Sequence, residues 1–476
     1  MDKLTKIIAT IGPSCDSNSQ IEELVKAGVD LFRFNFKHNT IEWHNERIKR
    51  VNSVAKKLNK PIGTLIDLQG PEIRINMPYE EISIKKNELL VFGREVFEKK
   101  VKGISISHPE IIPHLKEGQK VLAEDGSFIF FIKRQKDKLY LQSQSQGILK
   151  NRKNFNIPGA DFPFPVLVDR DFEGLKLAQR NAIDYVALSF VRSADDISVL
   201  RSEMKKFKLH AKIIAKIETE RALSDLDNII DNSDGIMVAR GDLGVERPIE
   251  EVPYYQKMII KNSIKRGIPV ITATQMLQSM IDRPFPTRAE ISDIANATYD
   301  LTDGVMLSGE TAIGKYATEA VKIMSKTIAF NEQKNIVDSR KRFNFSLEDQ
   351  EATLCDTAYG LYLLYRALNK KIAGFLVFTN TGKTISLLAR YRPLLPIYAF
   401  TPSRDDCESL TIYFGVKALY KKGIINRGEV EKEDIEKVVR YLESEKIVSK
   451  GAILIVLHGD RWNVEGGTST IKIVHV

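Results

Sequence analysis

Polar and charged residues recur in this chain just past short apolar runs, and as a set they have the chemistry to handle a phosphoryl group. Arg33, Asn35 and Lys37, followed by His38, end one run, and Asp67 ends the next. Ser189 and Phe190, then Arg192, end another, and Lys216 and Glu218 the one after. Arg240, Gly241 and Asp242, then Thr274 and Gln275, then Ser308 and Glu310 complete the series. Alternate side chains of a strand share a face, so Arg33, Asn35 and Lys37 can point one way, as can Lys216 and Glu218. Glu218 and Asp242 are hard oxygen donors of the kind Mg²⁺ takes beside water and substrate oxygens. Arg33, Lys216 and Arg74 supply positive charge for a phosphoryl group. One such pair alone would read as a structural ion pair. Buried charge on successive runs is costly unless it serves a ligand, and the whole set reads as a site.

The elements that must position these residues form a repeating pattern. Apolar runs at 6–12, 30–36, 61–68, 184–190, 212–218, 235–240, 268–276 and 304–310 are rich in Ile, Val, Leu or Phe, as buried parallel strands are. Helical periodicity follows at 21–27, 41–58, 172–180, 197–206, 254–266 and 318–329. Eight strands separated by helices predict an α/β fold, a (β/α)₈ TIM barrel, whose active sites lie at the C-terminal strand ends. The pattern breaks between the third and fourth runs. Residues 71–158 read as strands and turns, a small β-barrel lid domain inserted in a barrel loop. After residue 345 a helix at 351–368 leads to strands at 374–379, 396–401, 416–420, 452–458 and 471–476, with helices at 384–391, 405–413 and 434–443. This predicts a C-terminal open α/β domain. The expected domains are 1–70 with 159–340 (catalytic barrel), 71–158 (lid) and 345–476 (C-terminal, a place for an effector).

Bulk properties narrow the function classes. The 476 residues suit roughly two to four domains. Hydrophobic residues at 43% and charged residues at 28% are ordinary for a globular chain. No apolar run approaches the roughly 20 residues of a membrane span, and the short N-terminal apolar stretch is expected to begin the first strand rather than to be a signal peptide. Cys15, Cys355 and Cys407 are far apart, so a reducing, cytoplasmic location is expected, with each thiol a small buried residue. The net charge of +9 comes with short basic runs not interleaved with aromatics, which argues against nucleic acid and suits anionic substrates. The stretch Thr379, Asn380, Thr381, Gly382, Lys383, Thr384 looks like the tail of a Walker A loop, but Val377 stands where the first Gly is required.

Seven segments resemble pyruvate kinase, in order and over nearly the whole chain. They are Lys6-Ile-Ile-Ala-Thr-Ile-Gly-Pro-Ser14, Asp67-Leu-Gln-Gly-Pro-Glu-Ile-Arg74, Ile213-Ile-Ala-Lys-Ile-Glu218, Asp234-Gly-Ile-Met-Val-Ala-Arg-Gly-Asp-Leu-Gly244, Thr272-Ala-Thr-Gln-Met-Leu277, Pro286-Thr-Arg-Ala-Glu290 and Met306-Leu-Ser-Gly-Glu-Thr311. The resemblance implies transfer of the phosphoryl group of phosphoenolpyruvate to ADP, giving pyruvate and ATP. It implies that Lys216 neutralises the phosphoryl group in flight, with Arg33 in contact and Ser189 alongside. Glu218 and Asp242 would hold Mg²⁺ (or Mn²⁺). Backbone N–H groups of Gly241 and Asp242, with Thr274 close by, would hold the substrate carboxylate. Arg74, His38, Asn35 and Lys153 would serve the nucleotide. A homotetramer is the family's usual assembly.

The chain also departs from the family pattern. Lys37 stands where Ser is usual, Leu68 and Gln69 replace Thr and Lys, and Asn154 replaces Gly after Lys153. In the family the Asn and Ser of the stretch matching 33–38 and the Asp and Thr of the stretch matching 67–72 bind an essential K⁺. Asn35 and Asp67 remain, and Leu68 keeps its backbone carbonyl, but a charged Lys37 is no K⁺ ligand. The expectation is that the Lys37 ammonium replaces the ion and K⁺ is not required. The loop 379–384 resembles the effector-phosphate loop of regulated members, with Arg461 able to approach it. Two other functions stay open here, a Mg²⁺-dependent lyase acting on pyruvate enolates and a non-catalytic sensor of phosphorylated metabolites.

Overall fold

Eight short parallel strands, each buried along nearly its whole length, close on themselves at the centre of the chain. The computed structural model describes residues 3–136, 138–159, 162–334, 339–347, 349–424, 432–459 and 467–476. The barrel strands run Lys6–Thr10, Leu31–Asn35, Gly63–Asp67, Tyr185–Leu188, Lys212–Ile217, Gly235–Ala239, Val270–Ala273 and Gly304–Leu307. The first pairs with both the second and the eighth, which closes the ring. Period-two alternation divides each strand between two cores. Ile7, Phe32, Ile66, Val186 and Ile213 face the surrounding helices. Ile8, Leu31, Leu65, Tyr185, Ile214, Met237 and Ile271 face the barrel interior.

Local chemistry starts and stops the helices. Ser17 and Gln20 form a capping box at Asn18–Ala27, and Thr287 with Glu290 does the same at Arg288–Tyr299. Such a cap contributes about 1 kcal/mol. Gly12 is required by crowding, since a Cβ there would lie 2.3 Å from the carbonyl oxygen of Ala312.

The lid is a seven-stranded sheet, rolled so that its ends meet, with a separate two-stranded pair, Glu81–Ile84 and Gly147–Lys150. The chain entering it at Ile73–Ile75 hydrogen-bonds the chain leaving it at Lys153–Phe155 (Ile75 N to Lys153 O 2.8 Å, Phe155 N to Ile73 O 2.9 Å). It has its own apolar core around Leu90, Phe130, Leu141 and Phe155.

The C-terminal unit is a five-stranded sheet in the order Val416–Leu419, Ile397–Phe400, Ile372–Phe378, Ile453–Gly459 and Thr468–His475, with the last strand antiparallel. Its inner residues, among them Tyr359, Phe375, Ile385, Ile397 and Ile412, continue the cluster that fills the barrel. The contact is polar as well. Tyr185 Oη donates to Ser409 O at 2.6 Å, and buried Arg392 pairs with buried Asp303 at 2.6 Å. The expected helix at 405–413 is shorter, Arg404–Glu408. Leu410, Ile412, Tyr413 and Phe414 owe their apolar character to burial against the barrel floor rather than to a helical period. Among the described residues no helix is long and apolar enough to cross a membrane.

Candidate active site

At the C-terminal ends of strands two to five, four charged side chains meet in one buried network. Arg33 binds Asp67 through Nε and Nη2, both 2.7 Å from Oδ2, and Thr10 Oγ1 through Nη1 at 3.0 Å. Lys216 Nζ lies 2.6 Å from Glu218, 3.3 Å from Asp67 and 2.8 Å from Ser189 Oγ. Burial pushes the Asp67 carboxyl up, but the charges of Lys216, Arg33 and Lys37 outweigh it and hold it down at about 2. Burial pulls the Lys216 ammonium down, and the carboxylates of Asp67, Glu218 and Asp242 more than reverse that, so it stays charged.

Glu218 Oε2 accepts from Phe190 N at 2.7 Å. Its Oε1 touches Lys216 but is buried without an aligned hydrogen bond. Asp242 stands in the first turn of Arg240–Glu246, where burial and then the charge of Glu218 push its carboxyl up to about 6. Two carboxylates close enough for the charge of one to be felt by the other suit a divalent cation shared between them. Among the described residues no group of three or more His, Cys, Asp or Glu is placed to hold a metal ion by itself. A cation held by Glu218 and Asp242 alone would take its remaining ligands from substrate and water. Cavities of about 580 and 660 Å³ both reach Asp242, one toward the lid through Asn154 and Phe190, the other toward Gly241 and Thr274.

Thr274 and Gln275 have φ of 71° and 54°, and Phe190 has 56°. Left-handed backbone at a β-branched residue costs about 1–3 kcal/mol and persists where the surroundings impose it. Arg240 helps impose it, donating to Ala273 O at 3.2 Å and Thr274 O at 2.7 Å. Thr274 Oγ1 accepts the Gly241 N–H at 2.8 Å, so these two residues meet as expected.

The chain matches the family model described as pyruvate kinase, barrel domain, over residues 2–321, and that described as pyruvate kinase, alpha/beta domain, over 361–474. It is 37% identical to a pyruvate kinase of Geobacillus stearothermophilus over 100% of this chain and 81% of that one. It is 36% identical to a pyruvate kinase of Staphylococcus epidermidis over 98% of this chain and 80% of that one, and 37% to that of Staphylococcus aureus strain USA300 over the same shares. The chain belongs to the pyruvate kinase family. Its function is that of a pyruvate kinase, an enzyme of the transferase class, and the lyase and sensor alternatives are not favoured.

Two of the residues by which this chain departs from the family pattern, Lys37 and Leu68, lie beside the network, whereas Asn154 bonds Asp125 in the lid at 2.6 Å. Lys37 Nζ pairs with Glu72 and sits 5.0 Å from the centre of the Phe190 ring, turned inward rather than to solvent. The Asn35 amide oxygen accepts Lys37 N at 3.2 Å, and Leu68 O accepts Ser189 Oγ at 2.7 Å. Glu72 also holds Arg74, Oε2 accepting from Nε at 2.9 Å and Nη2 at 2.6 Å. His38 is exposed at the same rim. Lys153 stands apart from the network, paired with Glu124 of the lid at 2.7 Å.

The loop 379–384 lies on the C-terminal sheet, away from this cluster. Its Lys383 pairs with Asp349 at 2.9 Å, and Thr384 Oγ1 donates to buried Glu351 and meets Thr468 Oγ1 at 2.7 Å. Thr379 Oγ1 accepts Gly382 N at 3.0 Å, while Asn380 and Thr381 are exposed. Arg461 falls outside the described residues. Three supporting residues were not foreseen. Glu72 lies inside the Asp67–Arg74 segment, but Arg170 and Asp171, which bond the backbone at Phe36 and Gln69, carry no local signal.

Proposed function

We propose that the chain transfers the phosphoryl group of phosphoenolpyruvate to ADP in the cytoplasm, giving pyruvate and ATP. The buried network of Arg33, Asp67, Lys216 and Glu218 beside Asp242 carries this reading. Lys216 and Arg33 hold the phosphoryl group with fixed positive charge in a site that needs little reorganisation. Gly241 and Asp242 offer backbone N–H groups to the substrate carboxylate, Gly241 giving up its bond to Thr274 Oγ1 to do so. The ADP β-phosphate oxygen attacks phosphorus, the bond to the enolate oxygen breaks, and the methylene carbon gains a proton through water near Thr274. Arg74, His38 and Asn35 serve the nucleotide from the rim, and Lys153 joins them by leaving Glu124 as the lid moves. Glu218 and Asp242 would hold Mg²⁺ or Mn²⁺, which supplies charge neutralisation between phosphoryl group and enolate. The assembly that goes with this reading is a homotetramer.

The same reading makes K⁺ dispensable. Lys37 supplies its charge from within, and its inward pairing with Glu72 supports this. A phosphorylated effector at 379–384 is part of the reading too, and it would have to draw Lys383 away from Asp349.

The test is pyruvate formation from phosphoenolpyruvate and ADP with Mg²⁺, with and without K⁺, alongside Lys216→Ala. We expect turnover within about twofold with either buffer, and a loss of at least about 10²–10³-fold in Lys216→Ala. Turnover that needs K⁺ would discard the internal cation and keep the kinase. No turnover under any cation, from folded protein, would overturn the reading.

A further inference from the structure

The chain returns from the lid into the helix Asp169–Asn181, and two adjacent side chains in its first turn grip two different loops of the site. The Asp171 carboxylate is fully buried and accepts from Gln69 N at 2.8 Å, Gly70 N at 3.2 Å and Val168 N at 3.0 Å. It therefore fixes the turn that leads from Asp67 to Glu72 and Arg74, where Gly70 takes a φ of 67°. Arg170 faces the other way. Its guanidinium donates to Phe36 O at 2.5 Å, to His38 O at 3.2 Å and to Asn39 O. Those carbonyls belong to the loop that presents Lys37 and His38, and Asn39 in it has a φ of 61°. His44 Nε2 adds a bond to His38 O at 2.9 Å. Neither Arg170 nor Asp171 is bonded to Arg33, Lys216 or Glu218 in the described network.

The two gripped loops meet in the ion pair between Lys37 and Glu72, and Glu72 in turn orients Arg74. A planar guanidinium with several donors can hold several carbonyls in one arrangement, which an ammonium or an amide does less completely. We propose that Arg170 is a positioning residue for the nucleotide side of the site, clamping the 36–39 loop so that Lys37 stays on Glu72 and Arg74 is held for ADP. The proposal rests on the kinase reading above. The clamp stands on the first turn of the helix that follows the lid in the chain. Small misplacement of a binding group is enough to change affinity without touching the reacting atoms.

The test uses the full chain with Arg170→Ala, Arg170→Gln and Arg170→Lys, and measures kcat and the KM of each substrate separately. Arg170→Ala is expected to raise the KM for ADP about tenfold and to leave the KM for phosphoenolpyruvate within about twofold. Arg170→Lys should recover part of the ADP affinity, because its ammonium still reaches one carbonyl. Circular dichroism and melting temperature check that each variant is folded, and Arg170→Gln carries the comparison should Arg170→Ala not fold. Equal increases in both KM values, a fall in kcat alone, or no change would overturn the proposal. A parent chain that turns over neither substrate defeats the kinase reading, whereas an active parent with indifferent Arg170 variants defeats only the clamp.

Discussion

Lys37 brings a positive charge to a largely buried position between Glu72 and the Phe190 ring, and the Glu72 and Asp67 carboxyls both feel it. The Glu72 carboxyl is pushed up by burial and brought below the usual range by Lys37 and Arg74. Lys37→Ser would take that charge away and restore the hydroxyl usual in the family. We expect turnover in K⁺-free buffer to fall by about tenfold or more, with part of the loss recovered on adding K⁺, measured as initial rates against K⁺ concentration. An indifferent variant would mean that the charge is not needed. The convergence of Arg33, Asp67, Lys216 and Glu218 was legible in advance, because strand period and barrel geometry together dictate which side chains share the mouth. The direction taken by Lys37 was not, since it depends on Glu72 in a different loop. Arg170 and Asp171 were further from reach still. They come to the site only through the path of the chain out of the lid.

Strands and helices were legible where their apolar periodicity is set by packing on both sides, and blurred where the backbone turns while burial continues. Strand seven was expected at 268–276 and ends at Ala273, because Thr274 and Gln275 turn left-handed while Met276 stays buried. Strand four was expected to 190 and ends at Leu188, two residues before Phe190 does the same. At the opposite ends of the strands the polar residues serve the fold. Asp184 precedes strand four and accepts from Thr64 N and Oγ1, both at 2.8 Å. Burial, then the charge of Glu408, pushes its carboxyl up from 3.8 to about 8, against the pull of the Thr64 donors. Between these values the folded chain keeps a proton that the unfolded chain has released. Stability from this group is complete below pH 3.8 and falls as pH rises toward 8. Asp184→Asn keeps an oxygen for Thr64 and removes the titration. Urea unfolding should therefore show the variant gaining stability relative to the parent between pH 5 and pH 8, and an unchanged difference would count against a proton on Asp184.

Across the whole molecule, the C-terminal sheet closes the floor of the barrel. Asp303 accepts from Val270 N and Phe414 N, both at 3.0 Å, while Arg392 reaches across to it from the other unit. Removing one partner of a buried pair of this kind costs about 3–5 kcal/mol, so the seam is not a loose hinge. The organisation into barrel, insert and C-terminal unit could be read from where the alternation of strands and helices breaks. The seam could not, because nothing local to Arg392 or Asp303 marks them as partners. The shared apolar cluster across the seam has a consequence for how the molecule breathes. Backbone amides of the eight barrel strands and of the C-terminal sheet should exchange hydrogen with solvent in one slow class, at the free energy of opening the whole. Amides in the lid strands, with a separate core and two covalent crossings, should form a second, faster class that reports lid unfolding while the rest stays closed. Hydrogen exchange followed by mass spectrometry would resolve the two, and a C-terminal sheet that exchanged with the lid instead would mean that the continuous core does not bind its two halves into one cooperative body.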